Sequence, residues 1–461
     1  MVLPMTTLAQ TVSIWDRERR WVTLGVLALT FLAGLQVLAI TTVMPVVAED
    51  LDGATLYAVA FGGPLATSVI GMVGAGAWSD RVSPRGPLFA AVSLFTIGLL
   101  ISGLAGDMPT FVGGRLLQGL GTGAETVSLY VVVARVFPKE LHARVFAAFA
   151  FAWIIPSMVG PFLAGAVAEF LHWRWVFLGV AIIAVLSFLL VLVRLRGVDL
   201  RSTEPPTNQP IVVRILLAVV VAAGAVVLGI VVELPSGIGW GVTALAVAVI
   251  AVVIVPLIPK GTLRARRGLP SVVLTRALLP AAFLGAEIYI PYLMMDRFDF
   301  SPTWAGLSLT VSGLAWAAGA ALQGRYGDRL GNLRSMLIAV SLVTLTLMVA
   351  LVTSALLIPP AALIVSWSVA AVGLGVLYPR LTMLTLAYST PSDQGFNTSA
   401  LSLSEAVASS TVIAVMGLAF AAASSPTMAF TTVFAIGAIV TLVSLVPGSR
   451  MGHALEGSAR S

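Results

Sequence analysis

The stretch Gly76-Ala-Trp-Ser-Asp80-Arg81-Val-Ser-Pro-Arg85 has a counterpart in Gly324-Arg-Tyr-Gly-Asp328-Arg329-Leu-Gly331-Asn-Leu-Arg334, and both read G-x-x-x-D-R. Asp80 and Asp328 lie 248 residues apart. The first copy follows the second apolar run of the chain, the second copy the tenth. A single copy reads as a generic solvated turn with arginines. Two copies at equivalent places mark an internal duplication, the construction by which many secondary transporters form a site between their halves. Glycine lets a neighbouring helix approach closely, while aspartate suits a helix N-terminus or an arginine across a closing interface.

The rest of the chain fits that frame. Of 461 residues, 59% are hydrophobic and 10% charged, where a soluble domain carries about 25% charged residues. Lipid must therefore be the solvent for most of the chain. A spanning helix needs about 20 mostly apolar residues. The sequence predicts fourteen spans, at 21–48, 54–79, 86–105, 109–136, 143–169, 173–195, 212–234, 238–258, 277–296, 302–324, 334–354, 359–386, 396–424 and 428–447. With both termini cytoplasmic, 23 of the 26 Lys and Arg fall at the cytoplasmic face, Arg276 and Arg380 among them, and only Arg115, Arg174 and Arg297 elsewhere. That bias is the positive-inside signal. It also assigns the net charge of +6 to topology rather than to nucleic-acid binding.

The expected organisation has seven parts. A cytoplasmic lead-in (1–20) precedes a six-helix bundle (21–195), and a Pro-rich linker (196–211) leads to a transmembrane hairpin (212–258) inserted between the halves. A basic connector (259–276), a second six-helix bundle (277–447) and a cytoplasmic tail (448–461) complete it. The first apolar run is too long for a cleaved signal and reads as a retained span. With no Cys and three scattered His, no metal site is expected, and there is no G-x-x-x-x-G-K-[ST] loop to power an ATPase. No nucleophile–base pair stands out, so the chain does not read as an enzyme.

Ionisable residues inside spans are the functional candidates, because each is costly unless it faces the bundle interior or water. In the fourth span, Arg115, Gln118, Thr122 and Glu125 fall within about 80° of one face. Glu287 sits about ten residues into the ninth span, and Glu405 at similar depth in the thirteenth. A carboxyl balanced between desolvation and a nearby arginine can load a proton on one side and release it on the other. Arg115, Glu125, Glu287 and Glu405 are therefore the candidates for proton coupling, with a buried structural role as the alternative for each and direct substrate contact as a further one for the three glutamates. Tyr130, Trp153, Tyr289, Tyr292 and Trp316 are candidates to line an aromatic cavity for amphipathic or cationic molecules, with packing as the alternative. A transport-dead scaffold is disfavoured, since it gains nothing from these costly groups.

The motifs resemble those of the major facilitator superfamily. The two loops are similar to its G-x-L-a-D-r-x-G-r pattern: Asp80 and Arg81 match, as do Asp328, Arg329 and Gly331, while Ser83 replaces the second glycine of the first copy. The resemblance implies a conformational latch built from Gly76, Asp80, Arg81, Arg85, Gly324, Asp328, Arg329 and Gly331. Arg115-Leu-Leu-Gln118-Gly119-Leu-Gly121 resembles the family's fourth-helix motif, whose arginine is linked to proton transfer. Gly160-Pro161-Phe-Leu-Ala164-Gly165 resembles the antiporter kink, with Ala164 in place of a glycine, and Trp173-Arg174-Trp175-Val-Phe177 resembles an element of drug:proton antiporters with fourteen spans. Thr41-Thr42-Val-Met-Pro45 is similar to a first-helix segment that carries an Asp nine residues before the Pro. Here that place holds Gln36, a cavity candidate with Gln118, and the proton role shifts onto the three glutamates.

What the resemblance implies is an all-α integral membrane protein of the major facilitator fold, two six-helix bundles plus a hairpin. It would work by alternating access as a proton-coupled exporter of small amphipathic compounds, needing no cofactor and acting as a monomer in a bacterial plasma (inner) membrane. The alternatives are a proton-coupled metabolite symporter and a carrier of lipids or lipid-like molecules.

Overall fold

The computed structural model describes residues 13–17, 19–52, 56–195, 200, 210–231, 234–300 and 302–452. Most of the expected lead-in, linker and tail lies outside this range, as do the side chains of Pro161 and Asp328. Among the described residues the chain is helical, with no strand. The first half holds α1 (Arg20–Asp50), α2 (Tyr57–Arg81), α3 (Arg85–Leu104), α4 (Met108–Val136), α5 (Lys139–Phe170) and α6 (Arg174–Leu195). Next come α7 (Ile211–Ile230) and α8 (Ser236–Val253). The second half holds α9 (Leu269–Glu287), α10 (Tyr289–Phe298), α11 (Pro302–Leu356), α12 (Pro360–Ala387), α13 (Gln394–Ala421), α14 (Pro426–Val443) and the short α15 (Leu445–Gly448). Eight helical stretches among the described residues are long and apolar enough to cross a membrane, from Arg85–Leu104 to Pro426–Gly448, and three shorter apolar helices accompany them.

Helix ends follow from local chemistry. Asp107 accepts the Thr110 N–H at 2.8 Å to open α4, and Ser425 does the same for Met428 of α14 at 3.2 Å. Each is followed closely by a proline in the first turn, where a missing N–H costs nothing. Each half then packs its own core. In the first, Phe111, Trp173 and Phe177 meet edge to face. In the second, Trp367 stacks on Phe283 with centroids 4.6 Å apart. The halves meet mainly along two helix pairs, α2 with α13 and α5 with α11, which exchange places under the duplication.

Two expectations need correction. The connector expected over 259–276 ends earlier, because α9 begins at Leu269. Arg276 thus lies two turns inside a helix and is 1% exposed, so it is no surface topology arginine. Arg380 is buried too: its Nε donates to Asn332 Oδ1 at 2.6 Å and its Nη1 to the Gly327 carbonyl at 2.6 Å. The second G-x-x-x-D-R copy, expected as a loop, is a one-residue break. Helix runs to either side of Gly331, whose φ of 69° and ψ of 176° are open to glycine and strained for other residues.

Candidate functional site

Between the halves lies a cavity of about 730 Å³, walled by four helices from each half: α1, α2, α4 and α5, then α9, α11, α12 and α13. Glu125, Glu287 and Glu405 all line it, with Tyr130, Trp153 and Trp316. The helix period explains the convergence, since each acid sits on the inner stripe of its own helix.

The three carboxylates have different surroundings. Glu405 is paired: Arg276 Nε donates to its Oε2 at 2.9 Å, and the Tyr378 hydroxyl donates to the same oxygen at 3.2 Å. Arg276 also donates through Nη1 to Thr382 Oγ1 at 2.9 Å and to the Tyr378 carbonyl at 3.3 Å, and its guanidinium lies over the Tyr378 ring. Glu287 accepts on one oxygen from Trp367 Nε1 at 3.1 Å and Ser312 Oγ at 3.2 Å. Glu125 is 2% exposed, and neither of its carboxylate oxygens has a hydrogen-bond partner among the described residues. One cavity therefore holds three acids in contrasting hydrogen-bonding surroundings.

Other candidates lie elsewhere. Arg115 does not reach the cavity wall; it is 5% exposed, its Nε donates to the Ala60 carbonyl at 3.3 Å, and its Nη1 is bonded to Gln118 Oε1. Arg115 and Gln118 therefore tie α4 to α2. Gln36 is buried, with neither side-chain polar atom partnered among the described residues, and it does not line the cavity. Tyr289 packs in the second half's core against Phe420, 5.1 Å between centroids, and Tyr292 is exposed. Gly160 and Gly165 fall within α5. Sequence reasoning missed Arg276, Tyr378, Thr382 and Trp367. The aromatic-proline pair Tyr378-Pro379 was the available signal for one of them.

At one end of the bundle the halves touch. Asp80, at the end of α2 and 1% exposed, accepts from the backbone N–H of Gly395 at 2.6 Å and of Phe396 at 2.7 Å. These amides belong to the first turn of α13, which has no intrahelical acceptors for them. The approach requires glycine on both sides. A Cβ on Gly76 would stand 2.4 Å from the Gly395 carbonyl oxygen, and one on Gly395 2.2 Å from that of Gly76. Arg135 stitches the same corner, donating to the carbonyls of Ser79 and Pro391, each at 3.1 Å. Burial pushes the Asp80 carboxyl up to about 7, against the pull of the two amides and of Arg135. Gly324, in the second copy, faces α5, where an added Cβ would sit 3.4 Å from Ala147 Cβ. Arg81 and Arg329 are exposed at this end, and Arg85 half-buried.

A helical bundle duplicated about a central cavity, with charged groups inside it and closable at one end, defines a membrane carrier. Comparison with known proteins places it. The sequence model of the Major Facilitator Superfamily matches residues 26–289, and the chain belongs to that family of multi-pass membrane transporters. Similar curated proteins include the MFS efflux transporter aclA of Aspergillus oryzae, 33% identical over 34% of this chain and 29% of its own length. The multidrug efflux pump SdrM of Staphylococcus aureus is 22% identical over 64% of this chain and 66% of its own. The chain spans about a third of the length of the first curated relatives it matches. Among solved structures, an outward-facing bacterial homologue of the iron transporter ferroportin aligns with a TM-score of 0.72 at 13% identity, covering 94% of this chain and 99% of that one. The proton:xylose symporter XylE aligns at 0.65 and 15%, covering 96% and 98%. At such identities the likeness is one of fold.

Proposed function

We propose that this chain is a proton-coupled exporter of small amphipathic compounds, working by alternating access in a bacterial plasma membrane. In this reading fourteen spans place both termini in the cytoplasm, as two six-helix bundles with α7 and α8 inserted between them. The observation that carries it is the convergence of three acids from both halves on one aromatic-walled cavity. Among the described residues one acid is unpartnered, one is hydrogen-bonded and one is ion-paired, which gives proton and substrate a place to compete. Glu125 is the proton carrier, Glu287 and Glu405 shape the substrate site, and Arg115 supports α4 from behind. Gly76, Asp80 and Gly395 form the cytoplasmic latch. Relatives named as efflux transporters and pumps support export over uptake.

Transport in proteoliposomes under an imposed pH gradient, against a panel of dyes, antibiotics and lipids, tests the reading. The expected result is substrate movement opposite to the proton, with acidification of the compartment that the substrate leaves. Movement in the same direction as the proton would select a symporter instead. Transport that ignores the gradient would remove the coupling.

A further inference from the structure

The helices α7 and α8 have no counterpart in the duplication, and their packing shows what they touch. One apolar cluster joins Val69 and Val73 of α2, Ala218 and Val221 of α7, Ile250 of α8 and Leu403 of α13. The hairpin thus straddles the seam where the halves meet. The one charged side chain of these two helices, Arg214 of α7, is 6% exposed and lies over the Phe396 ring, 4.9 Å from its centroid. Phe396 is the residue whose backbone N–H donates to Asp80. Arg214 also lies within electrostatic reach of Asp80 and of Arg81.

We propose that Arg214 is a positioning residue of the latch: by clamping the Phe396 ring it fixes the first turn of α13 to receive Asp80, so the inserted hairpin stabilises the state closed at this end. The proposal rests on the alternating-access reading above. The first turn of a helix is the part most prone to fray, and Phe396 stands in that turn. A guanidinium over its ring holds the turn's rotation, and therefore the direction of the Gly395 and Phe396 N–H groups. The same cation stands beside a carboxylate that burial would otherwise penalise.

The hairpin packs on both halves, α7 against α2 and α13 and α8 against α13. The Gly268 N–H, at the start of α9, donates to the Arg450 carbonyl at 2.9 Å, and Arg450 Nη1 donates to the Ala265 carbonyl at 3.3 Å. This ties the connector after α8 to the chain's last described turn. On the other face of the hairpin, a Cβ on Gly239 would meet Leu418 of α13 at 2.8 Å.

The absence of Cys from the chain makes the test direct. Spin labels at Arg144→Cys and Leu333→Cys, both exposed and one in each half, report opening at this end in the full-length protein in nanodiscs. R214Q should lower the closed-to-open ratio about three- to tenfold, as loss of a cation–π contact does, and R214K should restore much of it. In a D80N background, R214Q should change the ratio little further. An R214Q distance distribution like the parent's, with D80N shifted, would overturn the role of Arg214 and leave the latch standing. Distributions unchanged in both would overturn the latch itself. Equal shifts from R214Q with and without D80N would also reject the proposal, because the effect would bypass Asp80. Phe396→Leu removes the clamped ring without touching a charge and must reproduce R214Q. Should R214Q fail to fold, Phe396→Leu takes its place in both backgrounds, and the same distance shifts support or overturn the proposal.

Discussion

Two residues in the cavity differ most in what their surroundings ask of them. Among the described residues Glu125 has no hydrogen-bond donor, while Glu405 has a guanidinium and a tyrosine hydroxyl. E125Q is expected to abolish gradient-driven accumulation while leaving downhill exchange of substrate intact, which counterflow with and without a pH gradient would separate. For the pair, R276M should cost about 3–5 kcal/mol by stranding a buried carboxylate, whereas R276M/E405L should regain most of that. Thermal unfolding in detergent measures both, and a double variant no more stable than the single would show that the pair is not a unit. The depth of the three acids could be read from the sequence, because position within an apolar run is a sequence property. The depth of Arg276 could not. An arginine near a predicted helix end looks the same whether it serves topology or enters a cavity, and only the start of α9 at Leu269 separates the two.

At the scale of elements, the contact between α2 and α13 is, in the proposed reading, the one that decides which end is shut. Gly76→Leu has no room against the Gly395 carbonyl, so it should hold this end open; labelling of cavity residues from that side should rise. The Asp80 carboxyl adds a pH dependence. Its affinity for a proton is raised to about 7 in the closed state by burial, and an exposed aspartate in an open state titrates near 4. The closed state then binds the extra proton between those values. Its stability is fully present at low pH and is lost as pH rises through about 7. The closed fraction should fall between about pH 4 and pH 7 and level off above that, and D80N should flatten that profile. From the sequence, the first copy of the repeated motif pointed to the Gly76 and Asp80 side of this contact. The partner amides of Gly395 and Phe396 did not, since they sit more than 300 residues away in a segment with no distinguishing side chain.

At the scale of the whole molecule, the duplication relates the two seams: α2 against α13 and α5 against α11 are copies of one interface. A rocking motion of one bundle on the other needs both to part together. Labels across the second seam should therefore report the same closed fraction as labels across the first, within the error of the measurement. The family follows from a match over residues 26–289, and composition alone called for lipid as solvent. The role of α7 and α8 was illegible for a simple reason. Their Val, Ala and Ile pattern fits any apolar neighbour, and only packing shows that the neighbour is the seam.

Trp367 hydrogen-bonds Glu287 while stacked on Phe283. An indole's emission responds to whether the acid touching it carries a proton, so this pair can serve as an optical indicator at the wall of the central cavity. Fluorescence lifetimes of the parent minus those of W367F, recorded as substrate or acid is added, would follow the occupancy of that carboxyl during turnover with no attached dye.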